Sequence, residues 1–160
     1  KTGAPYDLLL RPDAGEISPE QYKMVWLLGL LQLDKVESER IEKWRKAGIT
    51  VMWTDGDGTR FFRPDSSGKD KINWTAAELR VLYAQAGVHI YNDSDDVTYA
   101  GRNWICIHSA DGGERMVKLP FRAKIIRFPE NKVVSMSANE ATVVLPPKST
   151  VLLRLHKVEE

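Results

Sequence analysis

The sequence predicts an α/β layer with parallel strands, followed by a small antiparallel β-sandwich. Up to residue 96, short apolar runs alternate with helical patterns, and beyond it only strand-length segments and turns occur. Strands and helices in alternation indicate right-handed parallel crossovers. Six or seven short strands separated by turns are typical of a sandwich. We therefore predict two domains, 1–96 and 97–160.

The α/β domain begins with two apolar runs. Tyr6–Leu10 predicts a short buried strand, and Tyr22–Leu31 predicts a strand covered on both faces, as in a parallel sheet. Asp34 and Glu37 then have the spacing of a helix capping box, and Gly48 is a terminating residue. The side of this helix that we expect to be buried carries Val36, Ile41, Trp44 and Ala47.

Another strand, another helix and a third strand complete the predicted layer. Ile49–Thr54 predicts a strand, and the segment Asp55–Asn73, rich in glycine, aspartate and serine, predicts a long surface loop. Thr75–Ala86 is the clearest helix, because it combines a capping box with apolar residues at positions i, i+3, i+4 and i+7. Val88–Tyr91 then predicts the third strand.

The second domain is predicted from short segments of high strand propensity. Turn-like connections separate them, such as the glycine pair Gly112-Gly113 and the stretch from Pro129 to Lys132. The predicted strands are Val97–Ala100, Asn103–His108, Arg115–Leu119, Ala123–Phe128, Val133–Ser137, Ala141–Leu145 and Thr150–Leu155.

Composition excludes several classes of function. A formal net charge of +1, with lysines and arginines scattered singly, is not the pattern of a nucleic-acid-binding protein. No apolar run reaches the roughly 18 residues of a membrane-spanning helix, so we expect no membrane partner. Cys106 is the one cysteine, which excludes an internal disulfide and a multi-cysteine metal site. We expect no cofactor, and the compartment stays open between export or the periplasm and the cytoplasm.

Three segments of the first half carry a resemblance to a known family. Ala4–Leu10 (APYDLLL), Tyr22–Trp26 (YKMVW) and Gly48–Thr54 (GITVMWT) resemble the β-galactosidase trimerisation-type domain of family-42 and related glycoside hydrolases. That domain is flavodoxin-like, is related to class I glutamine amidotransferases and follows a catalytic barrel. The resemblance therefore implies a truncated flavodoxin-like layer, since the family's opening strand and helix have no counterpart before Lys1.

The second half is similar to the last β domain of such bacterial glycosidases. The resembling segments are Ala86–Tyr91, Tyr99-Ala100, Ile107-His108, Gly112-Gly113, Leu119-Pro120 and Val143–Leu155. No residue matches the two catalytic carboxylates, which the resemblance places in the barrel outside this chain. It implies that the partners are the upstream barrel of the same protein and further copies in a homo-oligomer.

The loop after the strand Ile49–Thr54 holds the first candidate site. Asp55, Asp57 and Arg60 follow that strand at the carboxyl edge where open α/β sheets bind ligands. The two aspartates could hold sugar hydroxyls. Arg60 stands where a calcium loop requires glycine, so we predict no calcium site. The resemblance implies that this loop lies near the active-site mouth.

We favour core packing for the five tryptophans as a set. Trp104 is the second candidate, because it alone has a position compatible with a sheet surface, where an indole can stack on a sugar. Cys106 and His108 share one face of a predicted strand, which leaves a nucleophilic pair open, although a buried structural cysteine is more common. Asp93, Asp95 and Asp96 are treated as a charged linker loop rather than a cation site.

We therefore expect a non-catalytic accessory region of a β-galactosidase-like glycoside hydrolase, with a structural or oligomerisation role. One alternative is a carbohydrate-binding module that uses Trp104 or the loop aromatics Phe61 and Phe62. A further alternative is an amidotransferase-like enzyme that uses Cys106.

Overall fold

A computed structural model describes residues 1–29, 32–55, 58–61 and 73–158 of the chain, and the side chains of Asp55 and of residues 58–61 lie outside that description. The chain divides into two compact units. The βαβ unit comprises Asp7–Thr75 and Gln85–Val88. The sheet unit comprises Lys1–Tyr6, Ala76–Ala84 and His89–Glu160, so the two units alternate along the chain.

The βαβ unit is built on two parallel strands and the helix between them. A 3₁₀ helix at Arg11–Glu16 precedes β1 (Met24–Leu28), which pairs in parallel with β2 (Thr50–Asp55). The connecting helix α1 (Lys35–Lys46) begins at the predicted capping box, in which Asp34 accepts from the Glu37 N–H and the Glu37 side chain accepts from the Asp34 N–H. The buried core consists of Val25, Ile41, Trp44, Ile49 and Val51.

The third strand of this small sheet runs the other way. β3 (Gly58–Phe61) pairs with β2 in antiparallel orientation, and the strand order is β1-β2-β3. Tyr6–Leu10 forms no strand and leads directly into the 3₁₀ helix. Val36, which we expected to be buried, is exposed.

The sheet unit contains one five-stranded antiparallel sheet. Its strands, in the order β4-β5-β8-β6-β7, are β4 (Val97–Gly101), β5 (Trp104–Ser109), β8 (Ser149–Lys157), β6 (Gly113–Phe128) and β7 (Lys132–Leu145). Burial alternates along β5 and β8, so one face of the sheet is packed and the other is accessible. Helix α2 (Ala76–Gln85) lies before β4 in the chain, and most of it belongs to the same unit.

The long hairpin formed by β6 and β7 changes direction near Pro120. The pairing register of β6 with β7 shifts between Lys118 and Ala123, and β8 pairs with β6 only from Ala123 onward. Residues from both halves of the hairpin nevertheless share one core with β5 and β8. The first half of the hairpin must therefore fold over the packed face of the sheet. The core residues are Ile105, Ile107, Val117, Leu119, Ala123, Ile125, Val143, Leu145, Val151, Leu153 and Leu155.

The segment from His89 to Asp96 runs along the edge of β6 that β8 leaves open. The Lys118 N–H donates to the Tyr91 carbonyl, and the Tyr91 N–H donates to the Gly3 carbonyl. Gly3 has φ +77, and a Cβ there would overlap the Asn92 carbonyl, so only glycine lets the two segments approach so closely. Asn92 is fully buried and donates to the Met116 carbonyl.

The predicted fold class is therefore wrong. The protein is mostly antiparallel β, with one parallel strand pair and no flavodoxin-like layer among the described residues. Val88–Tyr91 is not the third parallel strand, because its backbone groups bond to Gly3 and Lys118 instead of to β2. The seven short strands of the predicted sandwich are five, since β6 and β7 each merge two of them.

Neither helix found within the described ranges combines the length and the apolarity needed to cross a lipid bilayer.

Candidate functional site

The accessible face of the five-stranded sheet, hereafter the outer face, presents two rows of side chains. Each row consists of residues paired across neighbouring strands. The first row is Gly101, Trp104, Arg154, Ile126 and Val133. The second row is Tyr99, Cys106, Leu152 and Phe128. Because paired residues point to the same side of a sheet, these nine positions form one continuous surface.

Trp104 lies flat on this surface. A Cβ added to Gly101 would clash with the indole Nε1 and lie 2.9 Å from Cζ2, so the ring rests directly on the glycine. Trp104 is 40% exposed, and Tyr99, diagonal to it, is 52% exposed. One face of the indole is thus held against the Gly101 backbone, while the residue as a whole stays exposed to solvent.

Arg154 stands directly beside Trp104 on the neighbouring strand. Its guanidinium carbon lies 5.4 Å from the centre of the Phe128 ring, within the range of a cation–π contact. No carboxylate in the described part of the chain pairs with it. The positions around the two rows add His108, Lys124 and His156 and no aspartate or glutamate. The outer face therefore combines exposed aromatic rings with an excess of positive charge.

Cys106 lies in the second row, between Tyr99 and Leu152, and is partly buried. Burial raises the pKa of its thiol, which lowers the thiolate fraction that a nucleophile needs. The His108 ring shares a 2.9 Å hydrogen bond with the Thr150 hydroxyl. This environment is that of a packed thiol rather than an activated one.

The loop candidates fall largely outside the described residues. Asp55 is the last residue of β2 and pairs with Gly58, and Arg60 lies in β3 opposite Trp53. The side chains of Asp55 and Arg60 are not described, and Asp57 lies wholly outside the described residues. Of the loop aromatics, Phe61 ends β3 without a described side chain, and Phe62 is outside the description.

The three aspartates of the predicted linker each form an ion pair with a different basic side chain. Asp96 pairs with Arg115, Asp95 with Arg80, and Asp93 with Lys118. Over the described ranges, no group of three or more histidine, cysteine, aspartate or glutamate side chains could hold a metal ion.

The βαβ unit contains a separate cavity of about 330 Å³ beside β1. Most of its lining is apolar, and Leu8, Leu10 and Leu28 are largely exposed there. Its polar part includes the ion pair between Arg11 and Glu37, together with Asp7, Tyr22 and Arg40. This pairing and the Asp34 N–H lower the pKa of the Glu37 carboxyl, and Glu37 raises the pKa of the Arg11 guanidinium.

No known family model matches the chain, and a search of curated proteins finds no significantly similar sequence.

Trp104 was named from the sequence as a candidate, although core packing was favoured for the tryptophans as a set, and the residues around it were not predicted. Gly101 and Arg154 complete the surface, and their juxtaposition depends on strand register over 50 positions of sequence, which no local pattern encodes. One signal was available in β8, where Arg154 is an exposed cation between two buried leucines in an alternating strand.

Proposed function

We propose that this chain is a non-catalytic accessory region of a β-galactosidase-like glycoside hydrolase, with a structural role beside an upstream catalytic barrel. The observation that carries the proposal is that most of the segments resembling the glycosidase family contribute to the packed cores. Apolar residues of several of these segments lie in the packed cores, Val25 and Val51 in one unit and Ile107, Leu119 and Val151 in the other. In the segment Ala4–Leu10, by contrast, Leu8 and Leu10 are exposed. The buried segments serve as a framework, whereas catalysis requires convergent polar groups.

The accessible edge of β1 supports a contact role. Lys23 and Gly29 flank β1 and bond through their backbones to β2, so by strand alternation the backbone groups of Met24, Trp26 and Leu28 face the opposite edge. No described strand pairs with that edge. Unpaired strand edges and exposed leucines beside a cavity are typical of surfaces that another chain or domain covers.

Size-exclusion chromatography with light scattering tests this proposal. The chain would be measured by itself, and again as part of a longer polypeptide that includes the proposed upstream barrel. We expect a defined stoichiometry in the joined form, and protection of the Met24, Trp26 and Leu28 amides from exchange only there. A Leu8→Ser/Leu28→Ser variant should lose that protection, with the exposed Val144→Ser as its control. Unchanged exchange at β1 in the joined form would contradict the contact role.

A second candidate function is direct carbohydrate binding, because Trp104 lies flat on Gly101 with its outer side accessible. Aromatic planes presented in this way stack on the apolar faces of sugar rings. Titration of the protein with a panel of neutral and acidic oligosaccharides, followed by tryptophan fluorescence, tests this candidate. Failure of every sugar to bind would remove it.

A further inference from the structure

The outer face carries a charged element that stacking on a neutral sugar does not need. Arg154 is paired across strands with Trp104, and the Cβ atoms of such pairs lie about 5 Å apart. The residue is exposed, and Phe128 supports its guanidinium from one side. A planar guanidinium presents donors in a fork that matches a carboxylate.

We propose that Trp104 and Arg154 form a binding site for a pyranoside that bears a carboxylate, as in a polymer of uronic acids. The ring of the sugar stacks on the indole, and its carboxylate accepts two hydrogen bonds from the Arg154 guanidinium. This proposal rests on the carbohydrate-binding candidate and narrows it to acidic glycans.

The charge of the outer face is the reason to prefer an acidic ligand. Lys124 adds a second positive charge beyond Arg154, and the rows contain no carboxylate that would repel an anion. Because no described carboxylate pairs with Arg154, its guanidinium donors stay available to a ligand. A neutral sugar can accept single hydrogen bonds from the guanidinium through its hydroxyls, whereas a carboxylate adds a charge-assisted, bidentate pair.

Gly101 is a specificity element of the same site. Since any side chain there would displace the indole, the glycine determines that the ring lies parallel to the sheet rather than upright. Gly101→Ala therefore removes the flat platform without removing the tryptophan. Comparing Gly101→Ala with Trp104→Ala therefore shows whether binding depends on the orientation of the indole or only on its presence.

Single-stranded nucleic acid is the competing ligand, because it also offers flat rings and negative charge. Such binding relies on a groove of several cations that follows the phosphate backbone. The net charge of +1 and the scattered lysines and arginines do not provide one.

The test is isothermal titration of the whole chain with an oligogalacturonate, a neutral galacto-oligosaccharide and a single-stranded oligonucleotide. We expect the oligogalacturonate to bind, and Trp104→Ala and Arg154→Gln each to weaken binding by roughly tenfold or more. Gly101→Ala should weaken it comparably. Tyr6→Ala, which removes an exposed aromatic ring elsewhere, and Lys46→Gln, which removes an exposed cation, should leave it unchanged.

Thermal unfolding of each variant separates loss of binding from loss of fold, and Arg154→Lys provides a second check. Lysine keeps the charge but not the fork, so binding should stay weakened at a constant fold. Three outcomes overturn the proposal. The first is equal affinity for acidic and neutral sugars, which would still support carbohydrate binding. The second is no binding of either sugar, and the third is binding of the oligonucleotide alone. The β1 exchange experiment does not involve the outer face, so its result is independent of these.

Discussion

Asp96 and Arg115 are the residues whose chemistry is most constrained by their surroundings. Their side chains are 7% and 13% exposed, and they form an ion pair inside the sheet unit. Arg115 also donates to the Ser109 hydroxyl at 2.8 Å, which in turn accepts from the Gly112 N–H at 3.0 Å. The network ties the start of β6 to the end of β5. Breaking one side of it leaves a charge in a place from which water is largely excluded.

We expect Asp96→Ala to lower the free energy of unfolding by about 3–5 kcal/mol, because Arg115 then remains buried without its partner. Urea denaturation followed by circular dichroism measures the change. Asp93→Ala is the matched control, since its pair with Lys118 is about half exposed and should contribute less than about 1 kcal/mol. The double variant Asp96→Ala/Arg115→Met should recover part of the loss. Similar effects of Asp96→Ala and Asp93→Ala would contradict this account.

Helix α1 shows how local signals and a distant partner combine in one element. Its capping box was predicted from Asp34 and Glu37 and is confirmed. The structure adds that the same Glu37 side chain pairs with Arg11, 26 positions earlier. One carboxylate therefore satisfies the start of the helix and fastens the 3₁₀ segment to it.

This double role predicts a pH dependence. The pKa of Glu37 is lowered from its usual value of 4.5, so the folded state favours the carboxylate. Its contribution to stability is present above pH 4.5 and is lost as the pH falls through the lowered pKa. We expect Glu37→Gln to destabilise the βαβ unit at pH 7 and to have little effect near pH 2. Amide exchange at Ile41–Trp44 at both pH values measures the difference, and an equal effect at both would contradict it.

Elements with local signals were predictable, and elements set by distant contacts were not. Helix α1, most of α2 and β2 appear where capping residues and apolar periodicity indicated them. Val88–Tyr91 has the composition of a strand, but its partners are Gly3 and Lys118, which no pattern near it reveals. Arg115–Leu119 and Ala123–Phe128 were predicted as two strands, whereas β6 continues through Pro120 with a shifted register. Trp104 was named as a candidate from its position in a predicted strand, whereas Arg154, whose place beside it depends on the register of a distant strand, was not.

At the scale of the molecule, the sheet unit draws on three separate stretches of chain. Residues 1–6 and most of α2 belong to the same unit as the antiparallel sheet, and Arg80 of α2 donates to the Thr2 carbonyl at 3.2 Å. The segment from His89 to Asp96 supplies the cover along β6. The division into domains 1–96 and 97–160 stays a prediction. A fragment that begins at residue 97 has the whole sheet but lacks what closes the first half of β6.

We therefore expect the fragment 97–160 to be less stable and more prone to aggregation than the fragment 89–160. Without residues 89–96, the Lys118 N–H and the Met116 carbonyl lose their partners, and Arg115 loses Asp96. The exposed strand edge then becomes a template for pairing with other chains. Urea denaturation and light scattering of the two fragments measure both effects.

The fragment 89–160 carrying Asp96→Ala separates the two causes. If the open edge of β6 causes the aggregation, this variant should stay monomeric, because the hydrogen bond between Tyr91 and Lys118 is retained. Its unfolding midpoint should still fall, because Arg115 has lost Asp96. If the ion pair dominates, it should behave like 97–160 in both measurements. Equal midpoints and equal solubility for 97–160 and 89–160 would show that the sheet does not need this cover, and that a domain boundary at residue 96 is physically sufficient.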